Sequence, residues 1–163
     1  MDEIWLSVRL LLLLAIANAA PLVAKRWLGP RFSAPLDGGL IFFDERPLLG
    51  SSKTIRGFVA AVAATTLGAL FLGMPATVGA LLGGGAMLGD AIASFIKRRL
   101  GAAPSSRATG LDQIPEALLP LLAMKSILGV TLLQITAITC IFFVLEIPLA
   151  WLSHRLGLRD RPY

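Results

Sequence analysis

The sequence has almost none of the residues that build disulfides and zinc sites. Its 163 residues include one cysteine and one histidine. Cys140 lies in an apolar segment, and a single cysteine excludes an intramolecular disulfide and a thiolate metal site. His154 lies near the basic C-terminal end without an adjacent carboxylate motif, so we expect it at the surface. A Cys/His zinc pattern and a serine-nucleophile elbow are both absent, which excludes those two classes of site.

Charged residues are also scarce, at 15% of the chain, whereas apolar residues make up 56% and the mean hydropathy is +0.77. The apolar residues form long blocks, several of which approach the roughly 20 residues that cross a bilayer. These features predict an all-α integral membrane protein with about five transmembrane helices in a single domain, 1–163. The expected helices are 4–24, 57–73, 76–96, 112–126 and 130–152.

The first apolar block has a cleavage-like pattern, Ala17-Asn18-Ala19. However, the basic pair Lys25 and Arg26 follows the apolar run, whereas a secretory signal peptide carries its positive charge in front. We therefore expect this segment to be retained as the first transmembrane helix.

The basic residues mark one side of the membrane. The formal net charge is +5, and the basic residues cluster at the ends of apolar blocks, which argues against a nucleic-acid-binding face. Because Lys and Arg concentrate in cytoplasmic loops, we expect the segments 25–56 and 97–111 and the chain end to be cytoplasmic. This arrangement requires an N terminus outside the cell and predicts a multi-pass protein of the cell membrane. The 25–56 loop also contains apolar residues, so we expect it to be ordered and packed on the helices.

The third helix combines small residues with a polar stripe. Gly79, Gly83, Ala86 and Asp90 recur at helical spacing, and the same face continues through Ser94, Lys97 and Arg98. A carboxylate inside a membrane is costly and usually functional, which favours a site at Asp90. The alternative is a structural ion pair between Asp90 and a nearby basic residue.

Asp112 begins the next helix after the second basic loop, so Asp90 and Asp112 lie at the same ends of adjacent antiparallel helices. Two carboxylates, completed by water and substrate phosphate oxygens, suit magnesium, which rarely occupies an all-protein cage. The alternative for Asp112 is a helix N-cap, a position that Asp favours. The two roles are compatible.

The start of the second helix is typical of a phosphate site. The segment Gly50-Ser51-Ser52-Lys53-Thr54-Ile55-Arg56-Gly57 combines a flexible turn, hydroxyls, basic groups and helix N-terminal N–H groups. It is not a Walker A loop, because Ser52 precedes the lysine and Pro47 replaces the first glycine. A lysine and an arginine that simply snorkel at a helix end are the structural alternative. Asn18 and Glu146 are polar within apolar blocks and either line the site or bond to a neighbouring helix.

Taken in order, the motifs resemble the CDP-archaeol synthase family over nearly the whole chain. They are Asn18-Ala19-Ala20-Pro21, Pro35-Leu36-Asp37-Gly38-Gly39, Phe43-Asp44, Leu49-Gly50-Ser51-Ser52-Lys53-Thr54-Ile55-Arg56-Gly57, Gly85-Ala86-Met87-Leu88-Gly89-Asp90, Ser94-Phe95-Ile96-Lys97-Arg98-Arg99, and Leu111-Asp112-Gln113. The chain differs from the family pattern after Gln113, where Ile114-Pro115-Glu116 replaces a second Asp, and at Ser51-Ser52, where relatives commonly have Asp-Gly.

The resemblance implies a CTP-dependent cytidylyltransferase that converts a lipid phosphate, of the archaetidic-acid or phosphatidic-acid type, into a CDP-lipid and pyrophosphate, with Mg²⁺ as cofactor. It implies catalytic roles for Asp90, Lys53 and Asp112, with Asp90 and Asp112 as metal ligands. The residues expected to bind CTP and the lipid phosphate are Lys53, Thr54, Arg56, Ser94, Lys97, Arg98, Asp37, Asp44 and Asn18.

The expected partners are CTP, a lipid phosphate and the membrane itself, without nucleic acid, and the protein is expected to be capable of forming a homodimer. The competing class is a non-enzymatic membrane protein of the same fold, a transporter or lipid-binding subunit that uses Asp90 as an ion site. CTP-dependent protection from thermal unfolding distinguishes the two classes, because a transporter would not show it. A lipid phosphatase is disfavoured because no nucleophile is evident.

Overall fold

The computed structural model describes residues 3–103, 106 and 110–158. This part of the chain contains six helices, α1 (Glu3–Leu28), α2 (Ile55–Phe71), α3 (Ala76–Arg99), α4 (Gln113–Ala123), α5 (Lys125–Leu128) and α6 (Leu132–Arg155). Extended pairing within the described residues is limited to two isolated bridges in the 29–54 loop, Pro35 with Thr54 and Ile41 with Pro47. The all-helical class predicted from the sequence is therefore confirmed.

Three helices, α1, α3 and α6, are long and apolar enough to cross a membrane, and α2 is a shorter apolar helix of 17 residues. Apolar side chains cover their outer surfaces, as at Phe71 and Leu133, which are 90% and 80% exposed. Such a surface suits hydrocarbon rather than water. The number of crossings and their orientation stay predictions.

The expected helix 112–126 is divided in two in the structure. α4 ends at Ala123, α5 begins at Lys125, and Gly129 follows in a left-handed conformation with φ of 66°. The 11 residues of α4 extend over roughly 16 Å, about half of the ~30 Å hydrocarbon core. The chain therefore returns to the start of α6 through α4 and α5 together.

Helix α3 lies between α2 and α4, and glycines permit both contacts. On one face, Gly79 and Gly83 pack against Thr65 of α2, and a Cβ at Gly79 would lie 2.8 Å from the Cβ of Ala69. On the other face, a Cβ at Gly85 would lie 2.7 Å from the Cβ of Pro120 in α4. Both distances are shorter than ordinary van der Waals contact at about 3.5–4.0 Å. The small residues of α3 therefore set the positions of two neighbouring helices, a common device in membranes.

The apolar core occupies the half of the bundle that lies away from the basic loops. Leu13, Leu82, Leu121 and Phe142, from four different helices, are almost completely buried there. Many other members of this cluster are near the chain turns at 72–75 and 129–131. The buried charged groups of the helices, Lys97, Arg98, Glu116 and Glu146, lie towards the opposite, basic end.

The 29–54 loop packs on the basic end of the bundle. Arg46 donates hydrogen bonds from Nη1 to the carbonyl oxygens of Arg98, at 3.3 Å, and Arg99, at 2.5 Å, at the end of α3. Phe42 contacts Phe95 edge to face, with ring centroids 5.3 Å apart. The loop is thus ordered on the helices, as its apolar residues predicted.

Candidate active site

A cavity of about 810 Å³ opens at the basic end of the bundle. It is bounded by α1, the start of α2, the end of α3, the start of α4 and the end of α6. Nine of the residues predicted from the sequence line it, namely Asn18, Lys53, Thr54, Arg56, Asp90, Ser94, Lys97, Arg98 and Asp112. Asp37 and Asp44 do not line it. Segments distant in sequence thus meet at one site.

Lys53 and Asp90 form an ion pair in this cavity. Lys53 ends the turn before α2, and the next residue, Thr54, caps that helix by accepting a 3.1 Å hydrogen bond from Gly57 N–H through its hydroxyl. The cap fixes the direction in which the chain enters α2. The side chains of Lys53 and Asp90 are 19% and 22% exposed, so the pair remains accessible from the cavity.

A second ion pair joins Lys97 and Asp112, with 2.5 Å between Nζ and Oδ1. Lys97 Nζ also donates to the carbonyl oxygen of Ser106 at 3.1 Å. Asp112 stands at the N-cap position of α4, yet its side chain accepts no capping hydrogen bond. The structure therefore places Asp112 at the N-cap position without a capping hydrogen bond and pairs its carboxylate with a cavity lysine, and its role as a metal ligand stays a prediction.

Two arginines add positive charge to the cavity wall. Arg98 is only 3% exposed, and its Nη2 donates to the carbonyl oxygen of Ala103 at 2.8 Å. Its Nε and Nη1 are buried without a hydrogen-bond acceptor in the described part of the chain. Arg56 Nη1 donates to the carbonyl oxygens of Gly29 and Arg31, both at 2.7 Å. Donors that the protein leaves unused favour an anionic ligand.

Two further carboxylates, Glu116 and Glu146, line the cavity; Glu146 was expected either to line the site or to bond to a neighbouring helix, whereas Glu116 was not predicted. They are 5% and 7% exposed, and the Asn18 side-chain amide donates to both, at 3.2 Å to Glu116 and 3.4 Å to Glu146. Glu116 follows Asp112 by four residues, a spacing that places both on one helix face. This spacing was the sequence signal that could have identified Glu116, because residues four positions apart lie on the same face of a helix.

Glu116 is brought close to Asp90 by the contact between α3 and α4. A Cβ at Gly89 would lie 2.8 Å from the backbone nitrogen of Glu116 and 2.5 Å from the carbonyl carbon of Pro115. Only glycine allows the two backbones to approach this closely. The neighbouring residues Asp90 and Glu116 consequently face the same cavity from two helices.

Asp37 and Asp44 stabilise the loop instead of the cavity. The Asp37 carboxylate accepts backbone hydrogen bonds from Gly39, at 2.9 Å, from Leu49, at 2.8 Å, and from Gly50, at 3.3 Å. Burial favours a higher pKa for Asp37, but the three backbone N–H groups outweigh it and lower the pKa below 3.8. Asp44 pairs with Arg99, with 3.1 Å between Oδ1 and Nη1. Their geometry explains why both lie outside the lining of the cavity.

The donor set of the cavity fits magnesium. Asp90 and Asp112 present carboxylate oxygens to the same space, and magnesium binds through one or two carboxylates together with water and phosphate oxygens. Among the described residues, no three His, Cys, Asp or Glu side chains form a group that would hold a metal ion by themselves. A site of two carboxylates therefore needs substrate oxygens to be complete.

The chain is similar to known proteins over most of its length. The family model for CarS-like CDP-archaeol synthase matches residues 1–163. A CDP-archaeol synthase of Aeropyrum pernix is 38% identical over 170 residues, covering 99% of this chain and 94% of that protein. One of Sulfurisphaera tokodaii is 39% identical over 138 residues, covering 79% and 81%. A solved structure, described as an intramembrane enzyme for archaeal membrane lipids biosynthesis, has 35% identity and a TM-score of 0.69, covering 86% of this chain and 90% of its own.

Proposed function

Because the chain belongs to the CDP-archaeol synthase family, we propose that its cavity binds CTP beside an archaetidic-acid-type lipid phosphate and transfers CMP to that lipid. The protein is a CTP-dependent cytidylyltransferase of a membrane. The products of the proposed reaction are a CDP-lipid and pyrophosphate. The ether-linked lipid is favoured by the names of the relatives, and a phosphatidic acid is the alternative substrate to be tested.

One observation carries the proposal. Five basic side chains line one cavity at the basic end of the bundle, namely Lys25, Lys53, Arg56, Lys97 and Arg98, and two of them, Lys53 and Lys97, are paired with carboxylates that suit a cation. A triphosphate and a lipid phosphate together bring several negative charges into a partly buried space. Charge-assisted hydrogen bonds from lysine and arginine stabilise such groups more strongly than neutral donors do.

The proposed reaction requires the protein to position the two substrates and to stabilise charge. An oxygen of the lipid phosphate attacks the α-phosphorus of CTP, a new P–O bond forms, and the bond from the α-phosphorus to the pyrophosphate oxygen breaks. The attacking oxygen is already ionised, so no side chain has to remove a proton. This accounts for a cavity lined by basic groups and carboxylates without a histidine among its lining residues.

Asp90 and Asp112 would hold magnesium, and the ion supplies neutralisation of the phosphate charge when it is bound. Lys53 and Lys97 then lie next to the phosphates, Arg98 offers its two unused donors, and the Ser94 hydroxyl is available from the α3 wall. The half-buried amide of Asn18 donates hydrogen bonds to Glu116 and Glu146 in the same cavity.

The location of the cavity suits one soluble and one lipid substrate. Apolar lining residues, Leu22 of α1 and Ile147 and Ala150 of α6, border the polar groups and provide a surface for the lipid next to its phosphate. The basic ends of the helices favour a cytoplasmic opening in the cell membrane, with the N terminus outside and five crossings. CTP would then enter from the cytoplasm while the lipid remains in the bilayer.

The proposal is tested by pyrophosphate release from purified protein in detergent, with CTP, Mg²⁺ and either archaetidic acid or phosphatidic acid. We expect turnover with archaetidic acid and a loss of about 10²-fold or more in Asp90→Ala, the size seen when one group that stabilises transition-state charge is removed. Glu3→Ala is the matched control. Glu3 is a carboxylate at the start of α1, the end of this helix away from the cavity, where it accepts a hydrogen bond from Gln134. No release with either lipid, from protein that unfolds cooperatively on heating, would overturn the proposal.

A further inference from the structure

We propose that Lys53 and Lys97 occupy the places of the cation on Asp90 and Asp112 in the substrate-free protein, and that both lysines move from carboxylate to phosphate when magnesium and CTP bind. This inference rests on the proposed function, since it concerns the same cavity. It adds that the two lysines exchange their ionic partners, and that this exchange couples the binding of magnesium to the binding of CTP.

The pattern of ion pairs carries the inference. Each of the two carboxylates assigned to magnesium is paired with a cavity lysine, Asp90 with Lys53 and Asp112 with Lys97. A third ion pair, Arg99 with Asp44, lies outside the cavity lining. Lysine is thus found where the cavity has to receive a different cation.

Electrostatic repulsion prevents magnesium and a lysine ammonium group from binding the same carboxylate at the same time. A divalent ion on Asp90 repels an ammonium group held by the same carboxylate, so one of the two has to leave. Aspartate is short and fixed to its helix, whereas lysine carries its charge on a flexible four-carbon stem. The lysine therefore moves, and the phosphate that arrives with the cation is the anion that receives it.

The lysines also neutralise the carboxylates of the cavity when no ligand is bound. The side chains of Lys97 and Asp112 are 8% and 22% exposed. Breaking a largely buried ion pair leaves an uncompensated charge and is strongly unfavourable. Magnesium alone would leave the two lysine ammonium groups without an anionic partner. CTP alone would leave the two carboxylates without a cationic partner, next to a triphosphate. Only the joint binding of both ligands leaves every charge with a partner, so each ligand strengthens the binding of the other.

The exchange can be observed directly because the chain has four lysines, Lys25, Lys53, Lys97 and Lys125. Reductive methylation with ¹³C keeps the positive charge and gives each lysine an NMR signal, which Lys→Arg variants assign. In detergent, CTP and Mg²⁺ without lipid cannot react, and thermal unfolding reports whether CTP is bound. We expect the Lys53 and Lys97 signals to shift when both ligands are present, while Lys125, outside the cavity lining, stays constant.

Signals from Lys53 and Lys97 that remain unchanged while CTP protects the protein from unfolding would overturn the exchange and leave the proposed function standing. Absence of any CTP-dependent protection would overturn both.

A variant tests whether the pair with Asp90 keeps Lys53 from the nucleotide. Asp90→Asn frees Lys53, so CTP in the presence of EDTA should bind about fivefold more tightly than to the wild type, the lower end of common coupling factors. Arg99→Gln breaks the ion pair outside the cavity lining and should leave the affinity for CTP in EDTA unchanged. Equal affinities of Asp90→Asn and wild type for CTP in EDTA would contradict the exchange.

Discussion

The contact of Gly89 with α4 provides a sharp test of how the fold positions the site. In Gly89→Ala the new Cβ would lie 2.5 Å from the carbonyl carbon of Pro115 and 2.8 Å from the nitrogen of Glu116. These are backbone atoms of a helix start, so they cannot rotate away as a flexible side chain would. To restore ordinary contact near 3.5 Å, α3 and α4 have to separate by about 1 Å.

This separation should affect stability and turnover to different degrees. Overpacking costs about 1–3 kcal/mol, and alanine recovers about 0.5–1 kcal/mol of the conformational penalty of glycine in a helix. The net loss of stability is therefore about 0–2.5 kcal/mol. Turnover should fall by about 10²-fold, because Asp90 and Glu116 adjoin the contact and a 1 Å displacement of reacting groups has an effect of that size.

Two other glycines of α3 provide the controls. A Cβ at Gly84 meets nothing within 4 Å, so Gly84→Ala should keep turnover and stability near the wild-type values. Gly79→Ala would collide with α2 about three helix turns before Asp90, and should lower the unfolding temperature while sparing turnover per folded molecule. Pyrophosphate release and thermal unfolding in detergent measure both quantities. Wild-type turnover in Gly89→Ala would refute the argument that this contact positions the site.

Two further predictions concern charges held by the protein itself. Asp37→Asn should destabilise the protein at neutral pH by about 1–3 kcal/mol, because the amide cannot accept all the backbone hydrogen bonds that the carboxylate accepts. Since the pKa of Asp37 is lowered in the folded protein, its contribution is complete above 3.8 and is lost as the pH falls through the folded value, so unfolding temperatures of variant and wild type should converge in acid. Asn18→Leu removes the donor shared by Glu116 and Glu146 and should lower the unfolding temperature, an effect that Glu146→Gln in the same background should reduce. An equal loss in both backgrounds would contradict a charge-based origin.

The sequence predicted the class of fold and the family, and both are confirmed. It also predicted that Asp90 and Asp112 lie at the same ends of adjacent helices, and both line one cavity. The fold class and the placement of the two aspartates need only hydropathy, helical spacing and the order of segments, whereas the family was recognised from its motifs. The roles of the two carboxylates stay predictions, since they depend on ligands and not on the fold.

Other features could not be predicted because they depend on tertiary contacts. The resemblance implied that Asp37 and Asp44 orient the basic groups or bind substrate. In the structure the backbone N–H groups of Leu49 and Gly50 reach Asp37, and Arg99 reaches Asp44 from the end of α3. The role of a carboxylate beside a phosphate-type motif therefore cannot be deduced from the sequence. Such a carboxylate can contact a ligand, or it can accept hydrogen bonds from the N–H groups of its own loop.

Glu116 adds a second α4 carboxylate to the cavity, one residue after Pro115. Pro115 stands where the family pattern has a second Asp, and its carbonyl group packs against Gly89. The next residue, Glu116, points into the cavity and is held there by Asn18 from α1. Because Glu116 follows Asp112 by four residues, the two carboxylates share a wall that a residue at 115 would share less well. The cavity thus keeps a second α4 carboxylate at a greater depth, next to Asp90 and away from the loop that carries Ser106.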